Sequence, residues 1–219
     1  MNARVSLMAA AVIAVVVAAP ARAAAQGAFE GVVTFQMDAG RQGPATMQYS
    51  VKGENVRMDM SVQGMDMFTL FNGATKTARI VIPMQQMYME RAVDPQAIAD
   101  SASRGKSDLT WTGRKETVAG HECEHATITD DAGTSTDVCL AKGLGTFVQI
   151  DGGGRGRGGP PGGGWEGRVA NEFPLKVQQN GRTLMEATKI ERKTLDPSIF
   201  TVPDGYQKMD VPMGGRGGV

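Results

Sequence analysis

From Phe29 onward, apolar residues recur at every second position, and this alternation narrows the choice of fold more than any other feature. Val33, Phe35 and Met37 form one such set, Met47, Tyr49 and Val51 a second, and Val56, Met58, Met60 and Val62 a third. A period of two places one face of a strand on a core and the other in water. Turn residues punctuate the runs at 40–44, Gly53-Glu54-Asn55, Gly64 and Asn72-Gly73. The pattern predicts an antiparallel meander rather than strands alternating with helices. Apolar runs at 78–81 and 87–89 flank Ile82-Pro83, and proline confines pairing there to an edge or a strand end. One short helix is predicted, with Asp94 as cap, Pro95 in the first position and the body continuing to Ser103. Further strands are expected at 115–118, 122–128, 134–141, 146–150, 175–179 and 184–191. Asn180-Gly181 marks a tight hairpin between the last two.

Residues 1–23 have the layout of a cleavable export signal. Arg4 begins it, an apolar run follows, Pro20 ends the run, and Ala21-Arg22-Ala23 offers small residues at the cleavage positions. The apolar run is about fifteen residues, short of the roughly 20 needed for a membrane-spanning helix. Cleavage after Ala23 or Ala25 fits, and the protein is expected to be periplasmic or secreted, with no membrane span in the mature chain. Residues 24–213 then form a single β-rich domain. The stretch 151–164 is mostly glycine and is expected to be a disordered loop, and 214–219 a flexible tail.

Basic and acidic residues are equal at 23 each, and losing Arg4 and Arg22 leaves the mature chain slightly acidic. That balance argues against nucleic acid as a partner. No Gly-x-Ser-x-Gly elbow, His-Glu-x-x-His helix or Walker glycine loop is present, so no enzyme is expected, no catalytic residue is assigned and no cofactor is implied.

Two segments could carry function. His121-Glu122-Cys123-Glu124-His125 holds both histidines and one of the two cysteines. On a strand, positions 121, 123 and 125 share a face. With Cys139 they could ligate zinc or copper, which makes His121 and His125 the alternative metal residues. The competing reading joins Cys123 to Cys139. A loop over 129–133 sets the two cysteines directly opposite each other, and the same register sets His125 opposite Asp137 as a surface pair. In an exported protein this favours the disulfide. The second segment is rich in methionine: Met58, Met60, Met65, Met67, Met84, Met87 and Met89 are spaced like strand residues. Unbranched, polarizable side chains of this kind fill a core, line an adaptable apolar cavity or capture copper through their thioethers, although no histidine lies within the run.

Several short motifs are familiar as a set. Val51-Lys52-Gly53 and Arg57-Met58-Asp59 are followed by Ile80-Val81-Ile82-Pro83, Met87-Tyr88-Met89 and Gly113. Then come Ala119-Gly120-His121-Glu122-Cys123, Phe173-Pro174-Leu175-Lys176 and Phe200-Thr201-Val202-Pro203-Asp204-Gly205-Tyr206. Their order, over roughly residues 30–209, resembles an uncharacterised family of exported bacterial proteins that is distantly like the LolA and LolB periplasmic lipoprotein carriers. The resemblance implies a curved antiparallel sheet or unclosed β-barrel with a helix near its mouth and an apolar concave side. It brings no catalytic residues. The chain departs from the carriers in its glycine-rich insertion and its few aromatics. The expectation is a non-enzymatic exported protein that binds a lipid or other apolar ligand, or an envelope protein partner. The alternative is a periplasmic zinc or copper binder.

Overall fold

The computed structural model describes residues 28–38, 40, 43–62, 64–93, 108–129, 133–145, 147–148 and 172–209. The expected leader, the helix at 94–103, the glycine-rich loop and the 214–219 tail lie outside them. The strands are β1 (Glu30–Asp38), β2 (Pro44–Lys52), β3 (Asn55–Val62), β4 (Met65–Asn72), β5 (Thr77–Ile82), β6 (Met87–Ala92), β7 (Asp108–Val118), β8 (His121–Thr129), β9 (Ser135–Lys142), β10 (Glu172–Gln179), β11 (Arg182–Arg192) and β12 (Gln207–Lys208). They form one curved, unclosed sheet in the order β12-β6-β5-β4-β3-β2-β1-β11-β10-β9-β8-β7. Every pairing is antiparallel except the short β12–β6 contact.

Alternation sets the faces as expected. Phe35 pairs with Met47, and Tyr49 with Val33 and Met58. These positions form the core face. Phe35 stacks on Phe173 of β10 at 6.0 Å, and the Tyr49 ring meets Phe173 edge-on at 5.4 Å. β2 and β10 are separated by β1 and β11, so only a curved sheet brings these rings together. On the outer face, Gln48, Asp59, Phe68, Val81 and Tyr88 follow one another across five strands. The C-terminal segment covers part of that face. Val202 and Tyr206 pack on Phe68, Leu70 and Val81, and Arg57 donates to the Ile199 carbonyl at 3.0 Å.

Proline and glycine act where the sequence placed them. Pro83 opens a 3-10 turn, Pro83–Gln85, between β5 and β6. Asn180 (φ 51°) and Gly181 (φ 75°) make the tight β10–β11 turn, since both central residues of this hairpin type need positive φ. Phe147 and Val148, expected in a strand, belong to none. Tyr49 holds them instead: its ring stacks on Phe147 at 5.0 Å, and its hydroxyl accepts from the Val148 N–H at 2.7 Å. Burial pushes the Tyr49 phenol far up its scale.

The β8–β9 register differs from the expected one by two residues. Thr129 pairs with Ser135, which moves the loop one position along the chain and sets His125, not Cys123, opposite Cys139. A slip of two leaves every side chain on its own face. The cysteines therefore still meet, as a diagonal pair with Cα atoms 5.3 Å apart, and are joined in a disulfide.

Candidate functional site

The methionine segment gathers on the core face. Met47 pairs with Met60, and Met60 with Met67. Met58 connects through Thr69 and Ile80 to Met89, Met87 pairs with Ile82, and Met65 with Val62. Met37 and Met185, paired with each other, extend the same face toward β11. The methionine-rich segment read from the sequence includes Met58, Met60, Met65, Met67, Met87 and Met89 but not Met37, Met47 or Met185, the first two of which stand in other alternating sets. These last three come from distant segments, and only the pairing brings them alongside.

Met84 departs from the set. It lies in the Pro83–Gln85 turn with 77% of its surface exposed. Met58, Met60, Met67, Met87 and Met89 are half-buried, while Met47 is buried. The face is thus continuous with the core but not sealed by it. An open groove of about 710 Å³ runs over the outer face beside Gln48, Arg57, Asp59 and Phe68 and takes in Met60 and Met67 where β3 turns into β4. Arg57 is held in that groove by a fork to Asp59 at 2.6–2.9 Å and lies 3.9 Å over the Phe68 ring.

The histidine–cysteine segment builds a different object. His125 is fully buried, not the surface group expected from the sequence. Both ring nitrogens face carboxylates: Nδ1 lies 2.5 Å from Asp137 Oδ1, and Nε2 lies 3.0 Å from Glu116 Oε2. Two cations flank the carboxylates. Arg114 Nη2 donates to Asp137 Oδ2 at 2.8 Å, and Lys176 Nζ donates to Glu116 Oε1 at 2.8 Å. The Lys176 ammonium, and then His125, hold the Glu116 carboxyl below its usual range, and Glu116 in turn raises Lys176. These contacts, with Arg114 Nη2 also 2.7 Å from His125 Nδ1, give polar partners to a buried imidazole that would otherwise be costly. Glu116 and Lys176 had no signal in the sequence, because their strands meet only through the roll of the sheet.

Metal ligation by this cluster is a poor fit. Glu116, His125 and Cys139 offer donor atoms within 4.8 Å of one another, but the Cys139 sulfur is bonded to Cys123. His121 is not in that group, and its Nδ1 lies 3.3 Å from the Ala119 carbonyl. The two imidazoles are not brought together. The cluster reads as a structural ion network laid over a disulfide.

The fold and its apolar, thioether-rich face define an unclosed single-sheet β protein. The chain belongs to a family described as a domain of unknown function (DUF4412), whose model matches residues 29–206. This is in keeping with the uncharacterised family expected from the sequence, and the unclosed sheet is the architecture its resemblance to the lipoprotein carriers implied. A search of curated proteins finds no match. Among solved structures, the chain is similar to an uncharacterised conserved protein from Thermus thermophilus, with a TM-score of 0.53 and 10% identity over 84% of this chain and 91% of that one. It is also similar to PNGF-II, with a TM-score of 0.49 and 13% identity over 84% of this chain and 31% of that one. A third likeness is to MucB in the Pseudomonas aeruginosa MucA/MucB complex, with a TM-score of 0.41 and 14% identity over 80% of this chain and 56% of that one. At these identities the likeness is one of fold alone.

Proposed function

We propose that this is a non-enzymatic exported binding protein that takes an apolar ligand of lipid type on its methionine-bearing face. The observation that carries the reading is the placement of Met58, Met60, Met67, Met87 and Met89, half-buried on one face of an unclosed sheet and continuous with the aromatic core. Flexible thioether side chains adapt to ligands of varied shape, and a curved sheet offers them a concave support. Export rests on the leader-like residues 1–23. Among the described residues, no helix is long and apolar enough to cross a membrane.

The test is saturable binding of a fluorescent fatty-acid probe near one to one, with the melting curve recorded alongside. Met58→Asp and Met67→Asp should weaken uptake while the chain stays folded, because a carboxylate in the contact must desolvate or protonate. No uptake by the wild type, with both variants unfolded, would reduce these methionines to core filling. A protein partner in the envelope is the second reading. It is favoured by the end strand β7, where Trp111 has 42% of its surface exposed.

A further inference from the structure

Three thioethers lie in direct register across neighbouring strands. Met47 of β2 is paired with Met60 of β3, and Met60 with Met67 of β4. Directly paired residues on one face of an antiparallel sheet have Cβ atoms about 4.5–5.5 Å apart. Each methionine then adds an unbranched chain with three rotatable bonds. The sulfur atoms of Met47 and Met67 can therefore lean over Met60 to a common point. Met58, two residues from Met60, supplies a further thioether from the same face.

The surroundings favour a soft ion. Met47 pairs with Phe35, and Met58 with Tyr49, both fully buried. The charged residues of β3 and β4 in this stretch, Arg57, Asp59 and Asp66, occupy the alternate positions and belong to the outer face. On its own face, among the described residues of these strands, the row thus offers sulfur without an adjacent carboxylate or imidazole. Thioethers select copper(I), whereas zinc is held mainly by thiolate, imidazole and carboxylate donors. Met60 and Met67 are only half-buried on that face, so an ion has a path from solvent.

We propose that Met47, Met60 and Met67, with Met58 beside them, form a copper(I) site. The site shares a face with the apolar-ligand reading but does not rest on it. Met→Leu keeps the apolar volume and removes the donor atom.

The experiment titrates the full chain anaerobically with copper(I) against a chromophoric copper(I) chelator, and with silver(I) under native mass spectrometry. Wild type should hold one ion per chain, with sulfur-only coordination by X-ray absorption. Met60→Leu and Met67→Leu should each weaken copper(I) binding by at least about tenfold, with the melting curve unchanged. Should Met60→Leu fail to fold, the half-exposed Met67→Leu decides the matter. Zinc supplied alone should not occupy the site. The proposal is overturned if wild type takes no copper(I), if both folded variants bind as wild type does, or if nitrogen or oxygen ligands dominate the absorption spectrum.

Discussion

The two ends of the sheet are built by different rules. From β1 through β6 the strands pair without a single register shift. From β1 through β11 to β7, four shifts occur, at Thr34/Phe35, Pro174/Lys176, Val177/Gln178 and Trp111/Lys115. An extra residue on one strand bends it and increases its twist. The result is visible in the long-range contacts. Residues of β7 come within 8 Å of β11, although a flat sheet would hold those strands roughly 19 Å apart. Pro174 sits in a central strand only because a bulge removes the need for its missing N–H. Gly113, with φ of 70°, supplies a left-handed residue within the β7 bulge.

The difference divides the work of the molecule. The rolled end concentrates its cross-links: the Cys123–Cys139 disulfide, the ion network around His125, and the Phe35–Phe173 stack where it meets β1. Among the described residues, the regular end has no such cross-links on its core face and keeps its methionines partly open to solvent. Regular pairing leaves a broad, gently curved face, which is what a docking surface needs. Bulged pairing closes the sheet on itself, which is what a stable base needs.

That contrast can be tested by substitution, and the largest effect belongs at the junction. Phe173→Ala should cost about 3–5 kcal/mol in denaturant unfolding, since the ring is fully buried among Phe35, Tyr49 and Phe147. Met65→Ala at the open end, where 57% of the side chain is exposed, should fall within about 0.5 kcal/mol of wild type. Equal losses at the two positions would end the distinction.

Removing the disulfide as Cys123→Ala with Cys139→Ala should cost about 3 kcal/mol on chain-entropy grounds, given a sequence separation of 16. The melting transition should fall, while copper(I) and probe binding at the open end persist in the folded fraction. Loss of binding in protein that is still folded would show that the two ends are not independent.

Gly31→Ala probes the seam between them. A Cβ at Gly31 would lie 2.0 Å from the Glu191 carbonyl oxygen, so β1 or β11 must shift. A loss of about 1–3 kcal/mol is expected by urea titration. A neutral result would mean that the seam is pliable.

The smallest effects are pH-dependent and of opposite sign. Glu116 has a lowered folded pKa, chiefly from its bond to Lys176. Its stabilisation is present above the ordinary carboxylate range and is lost as pH falls through the lowered value. Glu116→Gln should therefore depress the melting temperature at pH 7 and match wild type in strong acid. Glu172 is the reverse. Burial raises its carboxyl, and its buried Oε2 has no hydrogen-bond partner among the described residues. Its folded form is favoured at low pH and penalised as pH rises through the raised value, so Glu172→Gln should increase the melting temperature at pH 7 and not near pH 4. Differential scanning at both pH values checks the pair. Two shifts of the same sign would refute the assignment.

Much of this architecture is legible in the residues. Alternation gave the strands, Asn180-Gly181 the tight hairpin and Pro83 the break between β5 and β6. The cysteine pairing is also legible, although the observed β8–β9 register is two residues from the expected one. A slip of two preserves every face, so alternation cannot detect it. Phe147 and Val148 read as a strand because they are apolar in sequence, but Tyr49 claims them through a stack and a hydrogen bond from 99 residues away. The parallel β12 contact is two residues long and leaves no periodic signal.

The sequence by itself determined which side each residue of a strand faces, because side-chain direction follows from backbone period alone. It determined that Met58 and Met60 would share a side, that Met65 and Met67 would share one, and that Cys123 and His125 would share one too. Only the tertiary structure decided what stands next to what. Met47 reaches Met60 through strand order and register, Glu116 reaches Lys176 because bulges roll β7 toward β10, and His125 is buried by that same roll. Neighbour relations between strands depend on chain reversal, bulge position and curvature, which are properties of the whole sheet and of no segment within it.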